Sequence, residues 1–312
     1  MVVLRNLSSD EIPTAVQLWV DVFGMEAAFF QTLLDGGEPD DFSLGAFEGD
    51  RLVSSVHVFM RRYRNLYGQP LKVGGIGSVS TLPEARRQGH SLQLLQMSLD
   101  QMAERRCIWS YLVTGVNDHY ARHGWRTVST PLFRGTIKES NWAEPIEASE
   151  VTTALLDDMA SVHESSLRNT PMANARSKSM WDNAIRYRIS GANDAVFTYY
   201  RGNELFAYLV CRRNDDTLDL IEGTCRNGAG QDLKELVRKR LALAAKEGFR
   251  KVAWLMPEAS EAFPALVTAC DEVFPGEDRS WMLRPIADRI PWMNLLAIHT
   301  DPRGRRSELD NF

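Results

Sequence analysis

The chain has 312 residues, 44% of them hydrophobic and 25% charged, with 8 Trp and a formal net charge of −5. Those proportions exclude a disordered or fibrous chain and supply enough apolar side chain for about two domains. No apolar run approaches the ~18–20 residues of a membrane span, the first residues lack a secretory layout, and the acidic balance opposes broad neutralisation of nucleic-acid phosphate. Four cysteines (Cys107, Cys211, Cys225, Cys270) without a CxxC pair read as thiols of a reducing compartment, and 6 His without close ligand spacing indicate no metal site. A cytoplasmic protein, without membrane or nucleic-acid partners, is expected.

Residues 2–7 read as a strand. Ser8-Ser9-Asp10-Glu11 offers helix-start chemistry ahead of an amphipathic stretch at 12–23, and a second helix at 26–34 stops at Gly36-Gly37. Strands at 42–47 and 52–61 form a hairpin about Glu48-Gly49-Asp50. A strand at 71–81 leads through a basic loop into a long helix at 89–105, where Leu92, Leu95, Leu99 and Met102 make one buried stripe. A strand at 108–114, a short helix at 117–122 and paired strands across 125–137 follow. After a polar bridge at 138–150 the order restarts. Helices at 153–165 and 179–189 precede strands at 195–200 and 205–212 about Gly202-Asn203. A strand at 218–224, a helix at 232–247, a strand at 251–256, a helix at 260–269 and a strand at 281–285 complete it. The repeated order predicts a duplicated α/β (α+β) fold, each half a twisted mixed sheet flanked by helices. The expected domains are 1–138 and 150–286, with 287–312 a polar, partly disordered tail.

Chemistry concentrates where the strand at 71–81 meets the long helix. Arg86-Arg87-Gln88-Gly89-His90-Ser91 opens that helix, whose first N–H groups lack internal partners and carry partial positive charge. Gly89 permits a turn that converges those groups, and the arginines add formal charge, which together make a pyrophosphate cradle. Read without a ligand, the same residues are a solvated basic cap. The string is neither a Walker A loop nor a GxGxxG fingerprint. A second constellation is Asn117-Asp-His-Tyr120-Ala-Arg-His-Gly124-Trp125, where Tyr120 by itself reads as a packing aromatic with its hydroxyl at the surface. His119 and His123, which flank it, read as exposed.

Arg86-x-x-Gly89-x-Ser91 resembles the Arg/Gln-x-x-Gly-x-Gly/Ala motif of the Gcn5-related N-acetyltransferase (GNAT) superfamily, with Ser in the last small position. Tyr120-x-x-x-Gly124-Trp125 resembles its Tyr-x-x-x-Gly-Phe element. The resemblance implies acetyl-CoA as co-substrate, with Arg86, Arg87, Gln88, Gly89, His90 and Ser91 on the pyrophosphate and Asn117 on the pantetheine or steadying its loop. Tyr120 then protonates the departing thiolate. It also implies that the strand at 71–81 splays from its neighbour, so that Val79 and Thr81 pair with the pantetheine amides and the Val79 N–H polarises the thioester carbonyl. Residues 75–89 are similar to the enhanced intracellular survival type of acetyltransferase, which has an active first domain, a degenerate second and a sterol-carrier-like third for which this chain is too short. The second half carries Thr224-Cys-Arg-Asn-Gly-Ala-Gly-Gln231 in place of the cradle, which implies a structural role.

On the acceptor side, a primary amine of a small molecule or peptide must lose a proton before attack. Asp21 and Glu26, about the junction of the first two helices, are candidate carboxylates, with Phe23 and Phe29 as an apolar wall; water and the Phe312 carboxylate are the other candidate bases. An acceptor with several amines would suit acidic walls. The expected activity is direct acetyl transfer to an amine, with a mycothiol synthase-like thiol-metabolite acetyltransferase and a non-catalytic acyl-CoA sensor as alternatives. A homo-oligomer is left open.

Overall fold

The computed structural model describes residues 2–139 and 146–311. Strand β1 (Val2–Asn6) leads to a capping box in which the Ser8 backbone N–H and hydroxyl both donate to Glu11 Oε2, at 3.0 and 2.9 Å. Helices α1 (Ile12–Phe23) and α2 (Ala27–Asp35) follow, separated at Gly24, whose φ of 68° ends α1 in a left-handed turn. Strands β2 (Phe42–Glu48), β3 (Arg51–Arg64) and β4 (Pro70–Thr81) form a meander. Helix α3 (His90–Glu104), β5 (Trp109–Val113), α4 (Asn117–Ala121) and β6 (Arg126–Thr127) finish the first pass.

Strand β7 (Thr130–Ile137) opens the second set, with α5 (Thr153–Leu167), α6 (Lys178–Met180), a π turn at Trp181–Ile185 and α7 (Arg186–Ile189). Strands β8 (Asp194–Arg201), β9 (Glu204–Asn214) and β10 (Thr217–Cys225) repeat the meander. Helix α8 (Gly230–Lys246), β11 (Lys251–Trp254), α9 (Phe263–Ala269), β12 (Cys270–Asp278), β13 (Trp281–Pro285) and α10 (Trp292–His299) complete the chain. The fold is α/β, with two mixed sheets flanked by helices. One has the order β1-β2-β3-β4-β5-β13-β6 and the other β12-β7-β11-β10-β9-β8. The pairs β4–β5 and β10–β11 are parallel, as a helical crossover between them requires.

Strand β3 explains how the first sheet is covered. Val56, Val58 and Met60 pack with Leu94, Leu95 and Met102 of α3 in one core cluster. The alternate residues Phe59 and Tyr63 join clusters on the opposite face with residues of the second half, and His57 lies against Phe59 and Trp19. On α3 the buried stripe includes Leu95, Leu99 and Met102 as expected, but Leu94 takes the place of Leu92, which is 45% exposed.

The structure departs from the expected order at several points. The strands across 125–137 do not pair with each other: β6 lies beside β13 in the first sheet, and β7 lies between β12 and β11 in the second. Phe133 and Ile137 bury in the second core, with the Phe133 ring 4.7 Å from that of Phe263. In exchange β13 crosses back to pair with β5. The expected boundary near 138–150 is therefore crossed in both directions by a strand. Strand β12 has no counterpart among the expected elements because Asp, Glu, Pro and Gly interrupt its apolar pattern, a composition that an edge strand tolerates. Residues 287–311 of the tail are built into the fold. Leu295 and Ile298 of α10 join the Trp281 cluster, Leu309 joins the core between the halves, and Arg305, Ser307 and Asp310 are buried.

Candidate active site

Strands β4 and β5 pair only from Val73–Trp109 to Gly75–Tyr111; beyond that β4 continues to Thr81 alongside β3 alone. Two residues of β4, Ser78 and Val79, there oppose the single Val56 of β3, and Ser78 takes a left-handed φ of 49°. The bulge turns the backbone just where the β5 side of the strand is unpaired. Val79 is half-buried against the α3-side core, and Thr81 is fixed from the β3 side through a 2.8 Å contact with Ser54 Oγ.

The loop then makes a tight turn. Arg87 (φ 65°) and Gly89 (φ 84°) are both left-handed, and Gly89 is the N-cap of α3. Nothing lies within 4 Å of where a Cβ on Gly89 would stand, so the space before the turn is open to a ligand. Arg86, Arg87 and Gln88 are exposed, and Arg86 Nε donates to the Thr81 carbonyl at 3.2 Å. Ser91 is half-buried on the first turn. His90 is buried with Nε2 3.7 Å from Glu48 Oε1, so it offers the site its backbone N–H and not its ring. The turn brings a row of unpaired helix-start N–H groups and two guanidinium groups to one place, a fit for a diphosphate.

Tyr120 sits on α4, which follows the splayed end of β5. It packs against the same core as Val79, with its ring 6.3 Å from Trp125, and its hydroxyl has no hydrogen-bond partner among the described residues. Burial pushes the phenol up to about 12, so it holds its proton at neutral pH. Asn117 donates both amide hydrogens, to Thr127 Oγ1 and to the Arg279 carbonyl, each at 2.8 Å. These bonds tie the start of α4 to β6 and to the segment ahead of β13. His119 is exposed and His123 half-buried.

The expected acceptor residues lie about the junction of α1 and α2. Asp21 is exposed on α1 and accepts from Gln17 at 2.7 Å, Glu26 is exposed at the start of α2, and Phe23 is 44% exposed with its ring 6.0 Å from Phe30. Phe312 lies outside the described residues. A different cavity, of about 510 Å³, contains Val113 from the splayed strand together with Trp281. Four carboxylates (Asp219, Glu277, Asp278, Glu308) and two arginines (Arg134, Arg306) share its wall, and burial pushes the Asp219 and Glu308 carboxyls upward.

Two polar clusters escaped the sequence reading. On the face of β3 away from α3, Ser43 Oγ lies 2.7 Å from His57 Nδ1, and Asp41 Oδ2 lies 3.9 Å from both His57 Nε2 and Arg61 Nη1. Between the halves, Arg176 holds Glu222 through Nη1 and Nη2 at 3.0 and 2.7 Å and Asp310 through Nε at 2.7 Å. Polar residues at inward positions of β3 were the available signal for the first. The second joins Arg176 to residues 46 and 134 positions further along the chain, and no local pattern announces it.

Residues 3–128 match the family model described as an acetyltransferase (GNAT) domain, so the first pass of the chain is a domain of the GNAT acetyltransferase family. No curated protein matches the chain by sequence. Solved structures extend the likeness across both passes. Eis1 from Mycobacterium abscessus aligns with 92% of this chain and 74% of its own, at 16% identity and a TM-score of 0.68. A probable N-acyltransferase from Enterococcus faecalis V583 aligns with 92% of this chain and 73% of its own, at 17% identity and a TM-score of 0.67. A GCN5-related N-acetyltransferase from Anabaena variabilis aligns over the same shares at 16% identity and 0.67. At such identities these neighbours establish the tandem fold. The chain thus consists of two GNAT-like units, the first matched by the family model.

Proposed function

We propose that the protein is a cytoplasmic N-acyltransferase that moves an acetyl group from acetyl-CoA directly to a primary amine. The carrying observation is the splay of β4 from β5 at the bulge, followed at once by the left-handed Arg87–Gly89 turn into α3. Acetyl-CoA supplies the acetyl thioester. The N–H groups at the start of α3, with Arg86 and Arg87, hold its diphosphate, and the β5-facing edge of β4 about Val79 and Thr81 receives its amide arm. The amine nitrogen bonds to the acetyl carbon as the carbon–sulfur bond breaks, and Tyr120 gives its proton to the sulfur.

The acceptor enters by the cavity about Val113, where four carboxylates against two arginines favour cationic amines. An alkylammonium near pKa ~10 must first lose a proton, and Glu308 and Asp219, raised by burial, are suited to take it. Four free thiols, three of them buried, are in keeping with a reducing compartment.

Calorimetric titration of acetyl-CoA into the wild type and an Arg86→Ala/Arg87→Ala variant tests the reading. Saturable binding that weakens at least ~10-fold in the variant is expected, since charge-assisted bonds are being removed. A panel of mono- and polyamines scored by free-thiol release then identifies the acceptor. Absence of binding by folded wild-type protein would overturn the reading, and tight binding without turnover on any amine would favour an acyl-CoA sensor.

A further inference from the structure

Phe29 and Thr32 of α2, in the first pass, face Arg186, Tyr187 and Arg188 of α7, in the second, across a cleft of about 680 Å³. Its wall carries charge of both signs, but the carboxylates are already engaged. Asp182 is held by Lys178 Nζ at 3.3 Å, and Asp194 by Arg212 Nε at 2.8 Å. Arg186 and Arg188 are different. Arg186 donates only to neutral oxygens: the Asp182 and Val151 carbonyls, at 3.1 and 3.5 Å, and Thr153 Oγ1 at 3.0 Å. Arg188 donates Nη2 to the Asn311 carbonyl at 2.5 Å and lies with its guanidinium 6.0 Å from the centre of the Phe29 ring. Its buried Nε has no partner. Among the described residues neither arginine has a carboxylate at ion-pair distance.

Asp194, Glu308 and Asp310 act on Arg188 only from beyond ion-pair distance, and two guanidinium groups with no carboxylate in direct contact among the described residues, one with an orphaned buried donor, are unusual walls for a cleft unless an anion completes them. A planar guanidinium presents paired donors that match a carboxylate or phosphate, and Phe29 beside it offers an apolar face. We propose that this cleft binds an organic anion, a carboxylate or phosphate monoester with an apolar or aromatic body, its charged head on Arg188 and Arg186 and its body against Phe29. The site contains none of residues 86–91 nor Tyr120, so it stands apart from the acetyl-transfer reading. Because α2 and α7 belong to different passes of the chain, an occupant contacts both units.

Calorimetry on the full chain with benzoate, phenyl phosphate and, as neutral control, benzyl alcohol tests this. At least one anion should bind saturably, with benzoate against phenyl phosphate telling which head group the arginines prefer, and benzyl alcohol should not bind. Arg188→Gln should weaken the anion at least ~10-fold and Arg186→Gln in the same direction, with circular dichroism and thermal midpoint confirming the fold. If Arg188→Gln fails to fold, the half-buried Arg186→Gln carries the comparison. Failure of both anions to saturate, equal binding of benzyl alcohol, or unchanged affinity in a folded variant would each overturn the proposal. Acetyl-CoA titration of the same samples reports on the other site separately.

Discussion

Tyr120 is the residue whose chemistry is most exposed to test. With its phenol at about 12, it stays protonated through any ordinary assay, so a basic limb in the pH–rate profile below pH 10 belongs to another group. Tyr120→Phe should lower kcat by ~10²-fold, the lower end of general-acid contributions, while acetyl-CoA affinity by calorimetry stays within about twofold. A kcat equal to wild type would leave Tyr120 a packing aromatic. The same shift has a stability sign. Because the folded state holds this proton more tightly than the unfolded chain, the contribution is complete below pH ~10 and is lost as pH rises from 10 towards 12. At Gly89 the constraint is conformational, since a Cβ there meets no neighbour but φ is 84°. Gly89→Ala should cost ~1–2 kcal/mol locally and show as weaker acetyl-CoA binding with a small change in thermal midpoint. The turn at residues 86–89 and the two helix starts that follow, at His90 and Asn117, were legible because each is written in neighbouring residues. The Ser43–His57–Asp41–Arg61 cluster was not, because strand register assembles it.

Among the elements, the tail between α10 and Asn311 shows how a polar composition can mislead. Arg305, Ser307 and Asp310 look like solvent-facing residues in sequence, yet the Asp310 carboxylate and Glu222 share Arg176 in a region with almost no exposed surface. Burial alone would raise the Glu222 carboxyl, but Arg176 overrides it and the group lies well below the ordinary carboxylate range. Breaking one arm of such a network leaves an uncompensated buried charge, so Glu222→Gln should destabilise by ~3–5 kcal/mol, read from urea midpoints at pH 7. The sign with pH follows from the depressed value: the stabilisation is present above pH ~4.5 and fades as pH falls below it. The gap between wild type and variant should therefore narrow at pH 3.5, and a constant gap would argue for lost packing instead. Strand β12 was missed for a related reason. Its acids and Pro275 interrupt the apolar pattern, and at a sheet edge they guard against further pairing.

The whole molecule is held by the exchange of β7 and β13. The two-unit architecture was legible because the order of elements repeats, but the crossing was not, since the pattern of a strand states that it pairs and not with which partner. The exchange predicts that residues 1–138 and 146–312 expressed separately will be insoluble, because β5 loses β13 and β11 loses β7, and that co-expression will restore soluble material. Calorimetry of the intact chain should give one cooperative transition. Two well-separated transitions, or a soluble folded first half, would show that each unit stands without the other's strand.

The partner of β5 also arrives late. Val113 closes β5, and β13 begins only at Trp281. At ~5–20 residues per second of synthesis the open edge waits roughly 10–30 s for its strand, far longer than the microseconds in which local hairpins form. During that interval the nascent chain presents a sticky margin to every neighbouring polypeptide on the polysome. Its yield in the cell should therefore depend on translation speed between these two points and on chaperones that shield it until the last strand emerges.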